Sequence, residues 1–213
     1  MTVKFNQVIP NPMQNHMFSD ESVWGKALLW HAPQNFLLKA VSGKGKSSFV
    51  DFISGVRTDF MGDIFIDEQS IKTLSIDDWS KLRTDKLSVV YQDLQLFEDL
   101  TVKENILIKN QLTHHFSEEK IDYLIEKVGL ILQKNQNCKT LSLGQKQRVA
   151  ILRALTQPFK LLVLDEPFSH LDKNNEIILI EIIEQELKAN QAGLILTTLG
   201  DIPHINFDKH IEL

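Results

Sequence analysis

Three short stretches of this 213-residue chain carry residue types that do chemistry together. The first is SGKGKSS, residues 42–48, which follows the apolar run FLLKAV (36–41) and leads at once into an amphipathic helical pattern. A strand, a glycine-rich loop, Lys-Ser and a helix form the context that a phosphate-binding loop requires. Gly43 and Gly45 let backbone N–H groups turn towards phosphate oxygens, Lys46 can neutralise β and γ phosphates, and the Ser47 hydroxyl can ligate Mg²⁺. Ser42, Lys44 and Ser48 complete the loop. The strict pattern GxxxxGK[ST] fails at its first position, where Ala40 stands; alanine serves there if its φ is negative. The plain alternative is a glycine-rich turn with exposed lysines.

The second stretch is LLVLDEP, residues 161–167, an apolar strand ending in two adjacent acids. At the C-terminal end of a parallel strand, Asp165 can hold Mg²⁺ through water, and Glu166 can accept a proton from an attacking water. A phosphate cradle plus this acid pair implies nucleotide hydrolysis. The third stretch, LSLGQKQRVAILRAL (141–155), is a polar turn running into a helix. The first N–H groups of a helix are unpaired and its N-terminus is partly positive, so Ser142 and Gly144 sit where an anion is welcome. Ser142 is equally a good N-cap, and these residues alone leave both readings open.

The surrounding elements read as an α/β fold. FLLKAV, LSVVY (87–91), LLVL (161–164) and GLILTT (193–198) are near-continuous apolar runs, expected in a parallel sheet covered on both faces. Helical patterns over 46–53, 143–155 and 174–187 alternate with them. Segments 2–9, 23–30 and 63–67 look like antiparallel strands at one side, and 96–140 reads as an inserted helical subdomain with Ser117 capping the amphipathic stretch SEEKIDYLIEKVGL. With 43% hydrophobic and 24% charged residues the composition is that of a globular protein. A net charge of -5 argues against nucleic acid as a partner, and the lone Cys138 excludes a disulfide framework and reads as an inert thiol. No run of about 18 apolar residues occurs, so membrane insertion is not expected.

From residue 23 to 198 the order of these motifs resembles the ATP-binding cassette (ABC) ATPases. LSLGQ matches the signature LSGGQ with Leu143 in place of the first glycine; LLVLDEP resembles the strand bearing the catalytic glutamate; SHLD (169–172) resembles the D-loop; and Gln92 in VVYQD falls where the family has a glutamine at a strand end. Residues 75–106 are most similar to the lipoprotein-release, macrolide-efflux and cell-division group. The resemblance implies a P-loop NTPase fold and one ABC ATPase domain over 1–213: a RecA-like core with a β subdomain (1–95 and 141–213) and a helical subdomain (about 96–140). It implies ATP and Mg²⁺ as cofactors, with Ser47, Gln92 and Asp165 at the metal and Glu166, Gln92 and Lys46 in catalysis. Residues 42–48 would contact ATP, and Phe18 falls where the adenine-stacking aromatic lies, with Met17 or His16 as alternatives.

In the family two cassettes pair head to tail, so Ser142, Leu143, Gly144, Gln145 and Asp172 would touch the partner's ATP. The resemblance further implies a homodimer or a second cassette, an integral membrane permease as partner, and a cytoplasmic place at the inner face of the membrane. One departure stands out: the family has a histidine at the γ-phosphate where this chain has Thr198 or Leu199, and His204 lies too far on. Hydrolysis is then either ordinary or slowed. A slowed cassette suits a second reading, an ATP-gated signalling subunit on a membrane partner without transport. A DNA-repair or ribosome-associated cassette lacks its coiled-coil insertion, second cassette and basic surface.

Overall fold

The computed structural model describes residues 1–19, 22–39, 43–200 and 204–213. In chain order the elements are β1 (Thr2–Pro10), β2 (Ala27–His31), β3 (Asn35–Lys39), α1 (Lys46–Ser54), β4 (Phe60–Ile66), β5 (Gln69–Ser70), α2 (Ile76–Asp85), β6 (Leu87–Val90), α3 (Val102–Thr113), α4 (Glu118–Lys127), α5 (Leu143–Leu155), β7 (Leu161–Asp165), α6 (Lys173–Asn190), β8 (Gly193–Thr198) and β9 (Lys209–Glu212). They form two sheets. One is antiparallel with order β2-β1-β4-β5; the other has order β6-β7-β8-β3-β9 and every pair in it is parallel.

The apolar runs behave as a doubly covered sheet demands: all five residues of β7 and the first five of β8 are buried. On one face Phe36, Leu38, Val163 and Ile195 meet α1 and the antiparallel sheet, where Phe5 stacks on Phe49 with ring centroids 4.7 Å apart. On the other face Leu37, Leu162, Leu164 and Leu196 meet α3, α5 and α6. Both P-loop strand and acid-pair strand therefore end at the same C-terminal edge of one rigid sheet, the edge where open α/β sheets gather ligands.

Between β6 and α5 the described structure is helical apart from an isolated bridge, Thr101 to Asn137. Ser117 caps α4 by accepting from the Lys120 N–H. Two ion pairs tie α4 to α6: Lys120 to Glu186 at 2.7 Å and Lys127 to Glu181 at 3.5 Å. Cys138 is fully buried, its thiol pKa pushed up by that burial, and its Sγ accepts from the Asn105 amide at 3.2 Å; it is the inert thiol expected.

Two elements go beyond the sequence reading. Helix α2 buries none of its residues fully; Trp79 and Leu82, one turn apart, pack half-buried against the core, and Ser75 and Asp78 close its start with a capping box. Strand β9 is four residues long, beyond what was read as the final strand, and exists through pairing with β3. Residues expected as strand at 23–26 lie outside β2, which begins at Ala27. No helix among the described residues is long and apolar enough to cross a membrane.

Candidate functional site

The loop after β3 turns into α1 through two glycines with positive φ, Gly43 at 82° and Gly45 at 93°. Gly43 is exposed, and a Cβ on it would meet open space. A Cβ on Gly45 would press the Trp24 ring at 3.0 Å. Trp24 is buried, packs edge-on to Phe49 and Phe52, and donates its indole N–H to the Lys44 carbonyl at 3.0 Å. It thereby holds the loop from beneath. Replacing it with phenylalanine keeps the ring packing and removes the donor. We expect Trp24→Phe to weaken ATP binding five- to tenfold by calorimetry, the loss of about 1 kcal/mol of one hydrogen bond, and to lower the melting temperature by a few degrees through that bond and the smaller buried ring. Ala40 and Ser42 lie outside the described residues. The Ser48 hydroxyl accepts from Arg57 Nη1 at 3.0 Å and keeps its own O–H as a donor.

Lys46, the first residue of α1, is buried and its Nζ lies 3.5 Å from Glu166 Oε1. Their side chains are only 8% and 10% exposed, so the pair is weakly screened. Glu166 follows β7 in the left-handed region, φ 49°, a conformation costly for a residue with a Cβ and found where a site demands it. Its backbone N–H donates to the Thr197 carbonyl and hydroxyl, both at 3.2 Å, which fixes it to β8. The Thr197 hydroxyl in turn donates to Asp165 Oδ1.

Asp165 is buried, and burial raises its pKa above the ordinary carboxylate value, with the neighbouring Glu166 adding to the rise against the Thr197 hydrogen bond. A raised folded-state value means the ionised form opposes folding, so this group lowers stability as pH rises through that range. A bound cation would reverse the sign. Ser47, Gln92 and Asp165 line one cavity of about 340 Å³ together with Asp51 and Asp93. Hydroxyl, amide and carboxylate oxygens are the donors a hard cation takes, and Mg²⁺ completes its shell with water and substrate phosphate. The residues present fit that ion, although among the described residues no group of three or more His, Cys, Asp or Glu forms a metal cluster.

The loop bearing Gln92 is anchored from a distance. Leu94 and Gln95 both have positive φ, and their carbonyls accept from Arg153 Nη2 and Nη1, each at 2.8 Å. Arg153 sits in α5, whose other end is the LSLGQ turn. There Ser142 Oγ accepts from the Gln145 N–H and Gln145 Oε1 accepts from the Ser142 N–H, a capping box. Ser142 and Leu143 are exposed, Gly144 and Gln145 half-buried. Asp172 caps α6, accepting from the Asn175 backbone and side chain.

A second cavity, about 560 Å³, is lined by His16, Met17, Phe18, Lys44, Leu199 and Glu212, among others. All three candidates for the base-stacking residue lie on it, with Phe18 half-buried and Met17 almost wholly exposed. Thr198 and Leu199 border both this cavity and the one beside Glu166. Leu199 is 53% exposed and offers no donor. His204 is exposed and lines none of these cavities. Trp24 and Arg153 were missed by the sequence reading: a tryptophan near a P-loop reads as core, and Arg153 meets its partners 58 and 59 residues away.

This phosphate loop at the ligand edge of a parallel sheet, facing a buried lysine–glutamate pair, defines a P-loop nucleotide-binding fold. The sequence profile of the family described as ABC transporter matches residues 34–169. The lipoprotein-releasing system ATP-binding protein LolD of Buchnera aphidicola subsp. Schizaphis graminum (strain Sg) is 38% identical over 167 residues, 77% of this chain and 72% of that one. The phosphonates import ATP-binding protein PhnC 1 of Synechococcus sp. (strain JA-2-3B'a(2-13)) is 33% identical over 181 residues, 79% of this chain and 66% of that one. Among solved structures, a dimeric post-hydrolysis state of the ATP-binding cassette MJ0796 bound to ADP and Pi superposes with a TM-score of 0.77 at 23% identity, covering 92% of this chain and 87% of that chain. The chain belongs to the ABC transporter family.

Proposed function

We propose that this chain is the ATP-hydrolysing motor subunit of a transporter, paired head to tail with a second cassette and driving a separate membrane permease of the lipoprotein-release kind. The observation that carries it is the 3.5 Å approach of Lys46 to Glu166, each next in sequence to a residue, Ser47 and Asp165, that lines a cavity with Gln92. In this reading residues 42–48 cradle the phosphates and Lys46 leaves Glu166 for the β and γ oxygens. Glu166 then accepts the proton of the attacking water, and Gln92 positions that water. Ser47, Gln92 and Asp165 hold Mg²⁺, which when bound supplies charge neutralisation at the phosphates. Phe18 stacks on the adenine.

Across the pair, Ser142, Leu143, Gly144 and Gln145 at the start of α5 and Asp172 at the start of α6 face the partner's triphosphate. Residues 96–140 act as the helical subdomain that passes closure to the permease, and Arg153 links Gln92's loop to α5 so that the two move together. The chain then works at the cytoplasmic face of the membrane, held by its partner. The apolar Leu199 favours a second reading, an ATP-gated signalling subunit with low turnover. Reconstitution with the co-purified permease in liposomes separates them: ATP-driven movement of cargo across the bilayer is expected, and ATP-dependent association without movement would turn the assignment to signalling.

A further inference from the structure

Lys109 on α3 plays no part in the site above. It stands one turn after Asn105, whose buried side chain accepts from the Phe97 N–H at 3.0 Å and donates to the Phe97 carbonyl at 2.9 Å. Residues four apart share a helix face, so Lys109 leaves α3 on the side that holds the loop running on from Gln92. The helix packs against α5 and touches α2. Each of these carries an arginine whose guanidinium is engaged with backbone. Arg153 of α5 donates to the Leu94 and Gln95 carbonyls. Arg83 of α2 donates to the Ser54 carbonyl at 3.0 and 3.3 Å and lies 5.1 Å from the centre of the Trp79 ring.

No acid answers Lys109. It is half-buried and makes no hydrogen bond or ion pair among the described residues. Burial, and then the like charges of Arg153 and Arg83, push its pKa below the ordinary lysine value, and no carboxylate acts on it in the other direction. Asp51 and Asp93 bear on Tyr91 instead. Drawing a cation partly out of water without a counter-ion costs stability, which an anion brought by another molecule would restore. The surface beside it is apolar: Leu112, the next turn along α3, and Phe97 are both more than half exposed.

We propose that Lys109, backed by Arg83 and Arg153, receives a carboxylate side chain of the permease, carried on a cytoplasmic segment whose neighbouring apolar residues cover Phe97 and Leu112. The inference rests on the motor-subunit reading above. Charge complementarity selects the occupant: the two guanidinium groups already serve carbonyls, one ammonium is left to match one negative charge, and the apolar rim suits a protein segment.

The test reads the Kd of the isolated chain for its co-purified permease, stripped of the chain and held in phosphatidylcholine nanodiscs. Lys109→Met keeps the apolar stem and removes the charge; it should weaken binding about thirtyfold, and Lys109→Glu more than about a hundredfold, the scale of one lost partner in a desolvated charge pair. Lys109→Arg should stay within about threefold of the parent. Added salt should weaken the parent more than Lys109→Met. Mg-ATP affinity and basal hydrolysis of the isolated chain should not change in any of the three. The melting temperature of free Lys109→Met should rise by about 2–4 °C, because an unmatched charge has gone. A fall instead would mean that the charge is already compensated, and overturns the proposal. So does binding of Lys109→Glu or Lys109→Met within about threefold of the parent, which leaves the permease pairing standing. A defect that appears only after phosphatidylglycerol is added assigns Lys109 to a lipid headgroup and likewise overturns it. If the parent chain does not bind the permease at all, the motor-subunit reading fails and the proposal falls with it.

Discussion

Lys46→Ala abolishes measurable nucleotide binding in the result we expect from calorimetry with Mg-ATP. Lys46 is the cation planted by the first turn of α1 inside the loop, and burial leaves its charge little screened by water. Removing a buried charge partner costs about 3–4 kcal/mol, and each 1.4 kcal/mol is tenfold, so affinity falls about a hundred- to a thousandfold. The same change strands Glu166 without its counter-ion in the empty site, so the melting temperature also drops by a few degrees. Affinity within a few-fold of the parent would count against residues 42–48 as the phosphate cradle.

Glu166→Gln should act in the opposite sense on binding. The amide preserves the shape and the left-handed backbone anchored to Thr197 but can no longer take a proton. Loss of a general base slows turnover about 10²–10⁴-fold. The glutamine also releases Lys46 from its ion pair, so phosphate no longer has to displace a carboxylate, and ATP binds more tightly than to the parent. Gel filtration with Mg-ATP should show a stable dimer. A persistent monomer, or hydrolysis at the parent rate, would sink the assignment of Glu166 as base.

Much of the fold was legible because its signals are local. Helix α5 and strand β8 begin and end where the residues indicate, since Ser142 is a strong cap and GLILTT is an uninterrupted buried run. Family membership and the cassette architecture followed from the spacing of four motifs along the chain. What could not be read depended on distant partners. Strand β9 has an alternating, half-charged sequence and takes its conformation from β3. Helix α2 carried signals that went unused, the SIDD capping box and the pair Trp79 and Leu82 one turn apart, because so short an apolar face is faint beside its charged residues. Within the site, the bond from Trp24 to Lys44 spans 20 residues and those from Arg153 to Gln95 and Leu94 span 58 and 59, distances over which spacing carries no information.

The capping box at the head of α5 bears on how firmly two copies hold together. Ser142 and Gln145 already satisfy each other's backbone N–H groups in the isolated chain. In the proposed pairing, a triphosphate arriving from outside would therefore exchange one set of bonds for another, and only the difference would favour assembly. Once the terminal phosphate has gone, the helix end can fall back on its own side chains without leaving donors bare. On the proposed pairing, separation after each cycle would draw on bonds that the resting chain already makes for itself.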